Sequence, residues 1–160
     1  MKEKSPVKTT VFWIIFCLGV GALASFLTRR GLEAFDTIQK PPLTPPRIVF
    51  PIVWTILLIL MGWGFARVRL LAQDDAAKDR ATLAFAVQLT FFFCWMIWFF
   101  GLGWYGFSGI WLAAMILAVG VQTGVYRVIS KLASNLQIPY LLWCCFALYL
   151  NLGVWLLNKP

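Results

Sequence analysis

The 160-residue chain contains no histidine, so the commonest transition-metal ligand, the usual general base near neutral pH and the proximal haem ligand are all missing. Acids are scarce too. The six, Glu3, Glu33, Asp36, Asp74, Asp75 and Asp79, lie in the N-terminal tail or the first two connections between apolar runs. No carboxylate falls inside an apolar run, and ionisable groups at bilayer depth are what ion and proton pathways use. Their absence argues against an ion-coupled transporter or a channel filter. Charged residues make up 12% of the chain, about half the share typical of water-soluble domains. The four cysteines, Cys17, Cys94, Cys144 and Cys145, sit in apolar runs without metal-ligand spacing or the setting of a secreted disulfide scaffold. Packing is their expected role, and neither a metal nor a resident cofactor is expected.

What the chain has in excess is apolar length. It is 61% hydrophobic with a mean hydropathy of +0.82, more than a soluble core can absorb. A helix needs roughly 20 mostly apolar residues to cross the hydrocarbon layer. Five runs approach that length: residues 11–27, 48–66, 81–101, 107–129 and 136–157. The expected fold is therefore an all-α bundle of five transmembrane helices, one domain over residues 1–160. Thr28-Arg29-Arg30 follows the first run in place of a small-residue cleavage site, so that run is expected to remain as an anchor. The net charge of +8 comes from Lys and Arg scattered through short connections, not from a basic stripe interleaved with exposed aromatics, so no nucleic-acid partner is expected. Nine of the basic residues (Lys2, Lys4, Lys8, Arg67, Arg69, Lys78, Arg80, Arg127, Lys131) fall on one side and five (Arg29, Arg30, Lys40, Arg47, Lys159) on the other. The positive-inside rule then places the N-terminus in the cytoplasm and the C-terminus outside, and a bacterial cytoplasmic membrane suits such helices.

Two features stand out against this background. Between the first two runs, residues 41–51 hold five prolines in eleven positions. Proline fixes φ near −65° and pushes its predecessor out of the α region, so Lys40-Pro41-Pro42-Leu43-Thr44-Pro45-Pro46 should be a stiff, extended strap. It serves either as a spacer or as a lid. The second feature is nine tryptophans. Trp13, Trp104, Trp111 and Trp155 lie near run ends, where interfacial aromatics gather. Trp54, Trp95, Trp98 and Trp143 lie deeper. In the third run Gln88, Phe92, Trp95 and Phe99 share one helical face, and in the fifth Tyr140, Trp143, Ala147, Leu150 and Asn151 do so. Two such stripes either pack as ordinary helix contacts or enclose a flat slot suited to a planar apolar ligand. In the fourth run Gly120-Val121-Gln122-Thr123-Gly124 is a small-xxx-small motif that permits close helix approach, within the bundle or in a homodimer.

These residues resemble the TspO/MBR family, the tryptophan-rich sensory or translocator proteins. The likeness rests on Lys40-Pro41, Pro45-Pro46, Phe50-Pro51 with Trp54-Thr55, Met61-Gly62, and Gln88-Leu89 with Trp95 and Phe99-Phe100. It ends with Pro139-Tyr140, Trp143, Phe146-Ala147 and Leu150-Asn151. It covers nearly the whole chain. The resemblance implies five helices around a pocket capped by the first loop, and an integral membrane binding protein or sensor for planar hydrophobic ligands such as porphyrins. The ligand-contacting residues it suggests, with the two stripes, are Phe35, Trp54, Gln88, Phe92, Trp95, Trp98 and Phe99 from the first three runs and their loop. The last run adds Trp143, Phe146, Ala147, Leu150 and Asn151, with Lys40, Pro41, Pro45 and Pro46 as the lid. It also implies an alternative, light- and oxygen-dependent porphyrin degradation, in which Trp54 and Trp143 would be the redox residues. Three positions depart from the family pattern. Ala34-Phe35 replaces a Trp-Tyr pair, Phe92 replaces a third-helix asparagine, and Tyr149 has no Lys or Arg until Lys159, which leaves sterol binding unsupported.

Overall fold

The computed structural model describes residues 5–159; Lys2, Glu3 and Lys4, which entered the charge count, lie outside that range. Among the described residues there are helices and no strands: α1 (Pro6–Leu27), α2 (Arg29–Ala34), α3 (Val49–Leu71), α4 (Asp75–Met96), α5 (Tyr105–Ile129), α6 (Lys131–Asn135) and α7 (Ile138–Leu157). A π-helical turn, Ile97–Gly101, extends α4, and α6 runs into α7, so five helical spans of 22 to 27 residues are long and apolar enough to cross a membrane. Hydrocarbon offers the backbone no hydrogen bonds, and the helix is the structure that satisfies every peptide group within one segment.

Several spans extend past the apolar runs. α1 begins at Pro6 rather than near residue 11, α3 continues through Arg67 and Arg69, and α4 starts at Asp75. Charged residues end the hydrophobic stretch but not the helix, because long basic side chains reach the headgroup region while the backbone keeps its ladder. Local signals set the true ends. Pro6 occupies the first turn of α1, where its missing N–H costs nothing. Asp74 caps α4 by accepting from the Ala77 amide at 2.6 Å. Pro139 cannot donate back to the Asn135 carbonyl, and the break between α6 and α7 falls at Leu136 and Gln137, just before it.

α1 packs along α3, α4 along α5, and α5 along α7, while α3 also meets α4 and α6. The α1–α3 crossing depends on Gly62: a Cβ there would sit 2.6 Å from the Trp13 carbonyl oxygen and 2.7 Å from the Ile14 Cα. Close backbone approach at a small residue is the usual way for helices to associate where the hydrophobic effect cannot drive them together. Beside it Trp13 packs edge-on to Phe65 at 4.5 Å, and Phe65 stacks on Phe85 at 3.9 Å. Trp13 therefore turns into the bundle, although its position near a run end suggested an interfacial ring. Gly62→Val should force α1 and α3 apart and destabilise the fold by about 1–3 kcal/mol; an unchanged thermal unfolding midpoint in lipid nanodiscs would contradict this reading of the crossing.

Candidate functional site: an aromatic chamber

Trp54, one turn inside α3, is the ring around which the site is built. It lies 4.9 Å from Phe92 and 5.7 Å from Trp95 on α4, and 6.0 Å from Tyr140 and 6.5 Å from Trp143 on α7. It also lines a cavity of about 750 Å³, within the size range of small-molecule sites. α1 contributes Leu18, Gly21, Ala22 and Ser25; α2 and its end contribute Leu32 and Phe35. Ile48, Phe50, Pro51, Trp54, Thr55 and Leu58 come from α3 and its approach, and Phe92, Met96 and Phe100 from α4 and its π-helical turn. Arg47 is the one charged residue of that lining.

The aromatic stripes of the third and fifth spans come together, though not as two walls of an open slot. α4 and α7 reach each other through side chains: Gln88 Nε2 donates to the Tyr140 hydroxyl at 2.7 Å, and Trp95 Nε1 donates to Asn151 Oδ1 at 3.1 Å. Asn151 Oδ1 also accepts from Ser108 Oγ at 3.1 Å, and its Nδ2 donates to the Tyr105 carbonyl at 2.6 Å. Ala147 and Leu150 are buried on the same face of α7. The hollow lies instead between α1, α3 and α4. Of the residues nominated from the sequence, Phe35, Trp54 and Phe92 line it. Trp95 stacks on Phe99 at 5.6 Å, and Trp143 meets Phe50 at 6.1 Å and Phe146 at 5.4 Å, so these rings form the layer next to the lining. Trp98 is placed elsewhere, stacked on Trp104 at 5.7 Å and edge-on to Phe107. Trp143 also carries a buried indole N–H with no hydrogen-bond partner.

The cavity's α1 wall was missed in the sequence, although Leu18, Gly21 or Ala22, and Ser25 fall at helical spacing with small residues on that face. Phe92, where the family pattern has asparagine, is 2% exposed and makes its part of the wall apolar. Gly120 and Gly124 lie on an exposed face of α5 where an added Cβ would meet nothing within 4 Å, so this motif seats no helix of the same bundle.

None of residues 40–46 belongs to the lining of that cavity; the strap is fastened to α7. Pro41 is buried against Gly153, whose missing side chain makes the room: a Cβ there would lie 2.5 Å from Pro41 Cβ and Cγ. The Asn158 side chain accepts from the Gln39 amide at 3.1 Å and donates to the Gln39 carbonyl at 2.8 Å, and the Tyr149 hydroxyl donates to the Pro42 carbonyl at 2.8 Å. Leu43, at the strap's turn, is 81% exposed and takes φ 66°, a left-handed conformation uncommon for a bulky residue. Lys40, Pro45 and Pro46 line a second, smaller pocket of about 440 Å³ beneath the strap, together with Phe35, Asp36, Thr44, Arg47 and Phe50.

Fold and site together define an integral, multi-pass helical membrane protein with an aromatic chamber and a proline strap fastened to its last span. Comparison with known proteins gives the particular kind. The TspO/MBR family profile matches residues 13–156. The tryptophan-rich protein TspO of Chlorobaculum tepidum is 32% identical over 158 residues, 95% of this chain and 97% of that protein. The tryptophan-rich sensory protein of Cereibacter sphaeroides is 31% identical, covering 91% and 92%, and the human translocator protein is 31% identical, covering 86% and 82%. The chain belongs to the TspO/MBR family.

The strap's attachment is open to direct measurement. Asn158→Ala removes both side-chain bonds to Gln39, and hydrogen exchange at the Gln39 amide, which loses its acceptor, should quicken roughly tenfold, the equivalent of about 1.4 kcal/mol. Exchange at the wild-type rate would show that the strap is held by something else.

Proposed function

We propose that the protein binds planar, largely apolar small molecules of the porphyrin class in the aromatic chamber, as a receptor or carrier in a bacterial cytoplasmic membrane. The observation that carries this reading is the composition of the cavity: rings from Phe35, Phe50, Trp54, Phe92 and Phe100 around a space of ligand size. Aromatic walls favour a flat ligand, because offset stacking and edge contacts add to the burial of apolar area. Sensory and translocator roles, which the relatives' names carry, both require such a binding step. The nine-to-five distribution of basic residues supports a cytoplasmic N-terminus.

Protoporphyrin should quench tryptophan fluorescence saturably, and Trp54→Ala should weaken its affinity about tenfold, as loss of a large aromatic wall at a site centre does. Affinity unchanged in the Trp54→Ala, Trp143→Ala double variant would sink the proposal.

One observation favours a second reading, light- and oxygen-dependent porphyrin breakdown. Trp54 has Trp95 and Trp143 within 6.5 Å, so oxidising equivalents arising at a bound, excited ligand would meet readily oxidised indoles. Under illumination in air, bound porphyrin should then bleach several-fold faster than free porphyrin, and Trp54→Phe with Trp143→Phe should abolish the difference. Equal bleaching of bound and free porphyrin would exclude this activity.

A further inference from the structure

The chamber is apolar over most of its wall and charged at one end. Arg47 lines both the large cavity and the smaller pocket beneath the strap, as do Phe35 and Phe50. It bonds Asp36, Nη1 to Oδ2 at 2.6 Å, with both side chains about half exposed, at 59% and 46%. That bond uses one of the five N–H donors of the guanidinium. Lys40 lines the smaller pocket as well. Its Nζ donates to the Asp36 backbone carbonyl at 3.2 Å and lies 5.1 Å from the Phe35 ring centre. Among the described residues no carboxylate pairs with it. The end of the chamber thus holds two cations against one carboxylate. Arg29, Arg30 and Glu33 on the adjoining α2 add to the positive excess.

We propose that Arg47, with Lys40 beside it, reads a carboxylate on the edge of the ligand, and that Asp36 holds the guanidinium until that carboxylate replaces it. The ligand class is then a planar apolar body bearing an acidic side chain. This rests on the binding reading above and adds the group that selects among flat ligands. The exchange is favourable for three reasons. The Arg47–Asp36 pair is solvent-exposed, and exposed pairs contribute little. A carboxylate carried by a ligand whose rings already occupy the chamber arrives at high effective concentration. The planar guanidinium can hold it through two parallel bonds, which a lysine cannot reproduce.

Protoporphyrin IX and its dimethyl ester share one ring system and differ in the charge at the edge. Their affinities are compared on the full chain in phosphatidylcholine nanodiscs near pH 7.5, with empty nanodiscs as the partition reference. The wild type should bind the free acid about tenfold tighter than the ester. R47Q should bring that ratio close to one by weakening the free acid, and a thermal unfolding midpoint close to that of the wild type shows that the variant is folded. D36N should raise the ratio about twofold or more, an increase that a merely structural salt bridge would not produce. A wild-type ratio near one, a ratio that survives R47Q, or a ratio that D36N leaves unchanged overturns the assignment. Binding of neither compound rejects the porphyrin reading itself, whereas equal binding of both rejects only the carboxylate-reading role.

Discussion

In a bilayer a polar side chain must find its partners inside the protein, and Asn151 is where this bundle meets that demand most fully. Its oxygen accepts from Trp95 on α4 and Ser108 on α5, and its amide nitrogen donates to the carbonyl at the start of α5. One residue of α7 thereby ties three spans together with both ends of its amide used. Gln88 and Tyr140 repeat the α4–α7 link further down the same two helices. These bonds fix the Trp95 ring, and Trp95 backs Trp54, so the shape of the chamber follows from hydrogen bonds that do not line it.

The five spans were legible because hydropathy and length set them directly, and the strap because proline restricts the backbone whatever its surroundings. The position of the hollow was not. Spacing showed that Trp95 and Phe92 share a face with Gln88, but not that Trp95 would be committed to Asn151 and Gln88 to Tyr140. Those bonds join residues 52 and 56 positions apart, a relation that helical periodicity cannot carry. α1 was under-read for a different reason: its contribution is small residues, Gly21, Ala22 and Ser25, whose role is to leave space.

The strap shows the same division between local and distant causes. Its stiffness is local to Pro41, Pro42, Pro45 and Pro46. Its seat on α7 depends on Gly153, Tyr149 and Asn158, more than 100 residues away in the chain for each hydrogen-bonded pair. A rigid segment held at few points moves as a unit or not at all. The left-handed turn at Leu43, itself largely exposed, lies between Pro42 and the proline pair, directly after the carbonyl that Tyr149 holds.

The cavity is also unevenly walled. Ala22 and Ser25 of α1, with Ile48, Pro51 and Thr55 leading into and along α3, belong to its lining and are exposed, so the cavity is open on their side and not sealed by helix packing. In a membrane that side faces acyl chains, not water. A molecule held there shares a boundary with the lipid, and the reservoir it exchanges with is the bilayer. The strength of its retention is then governed by its mole fraction among the lipids, so two membranes of different composition would present the same protein with different effective doses of the same compound.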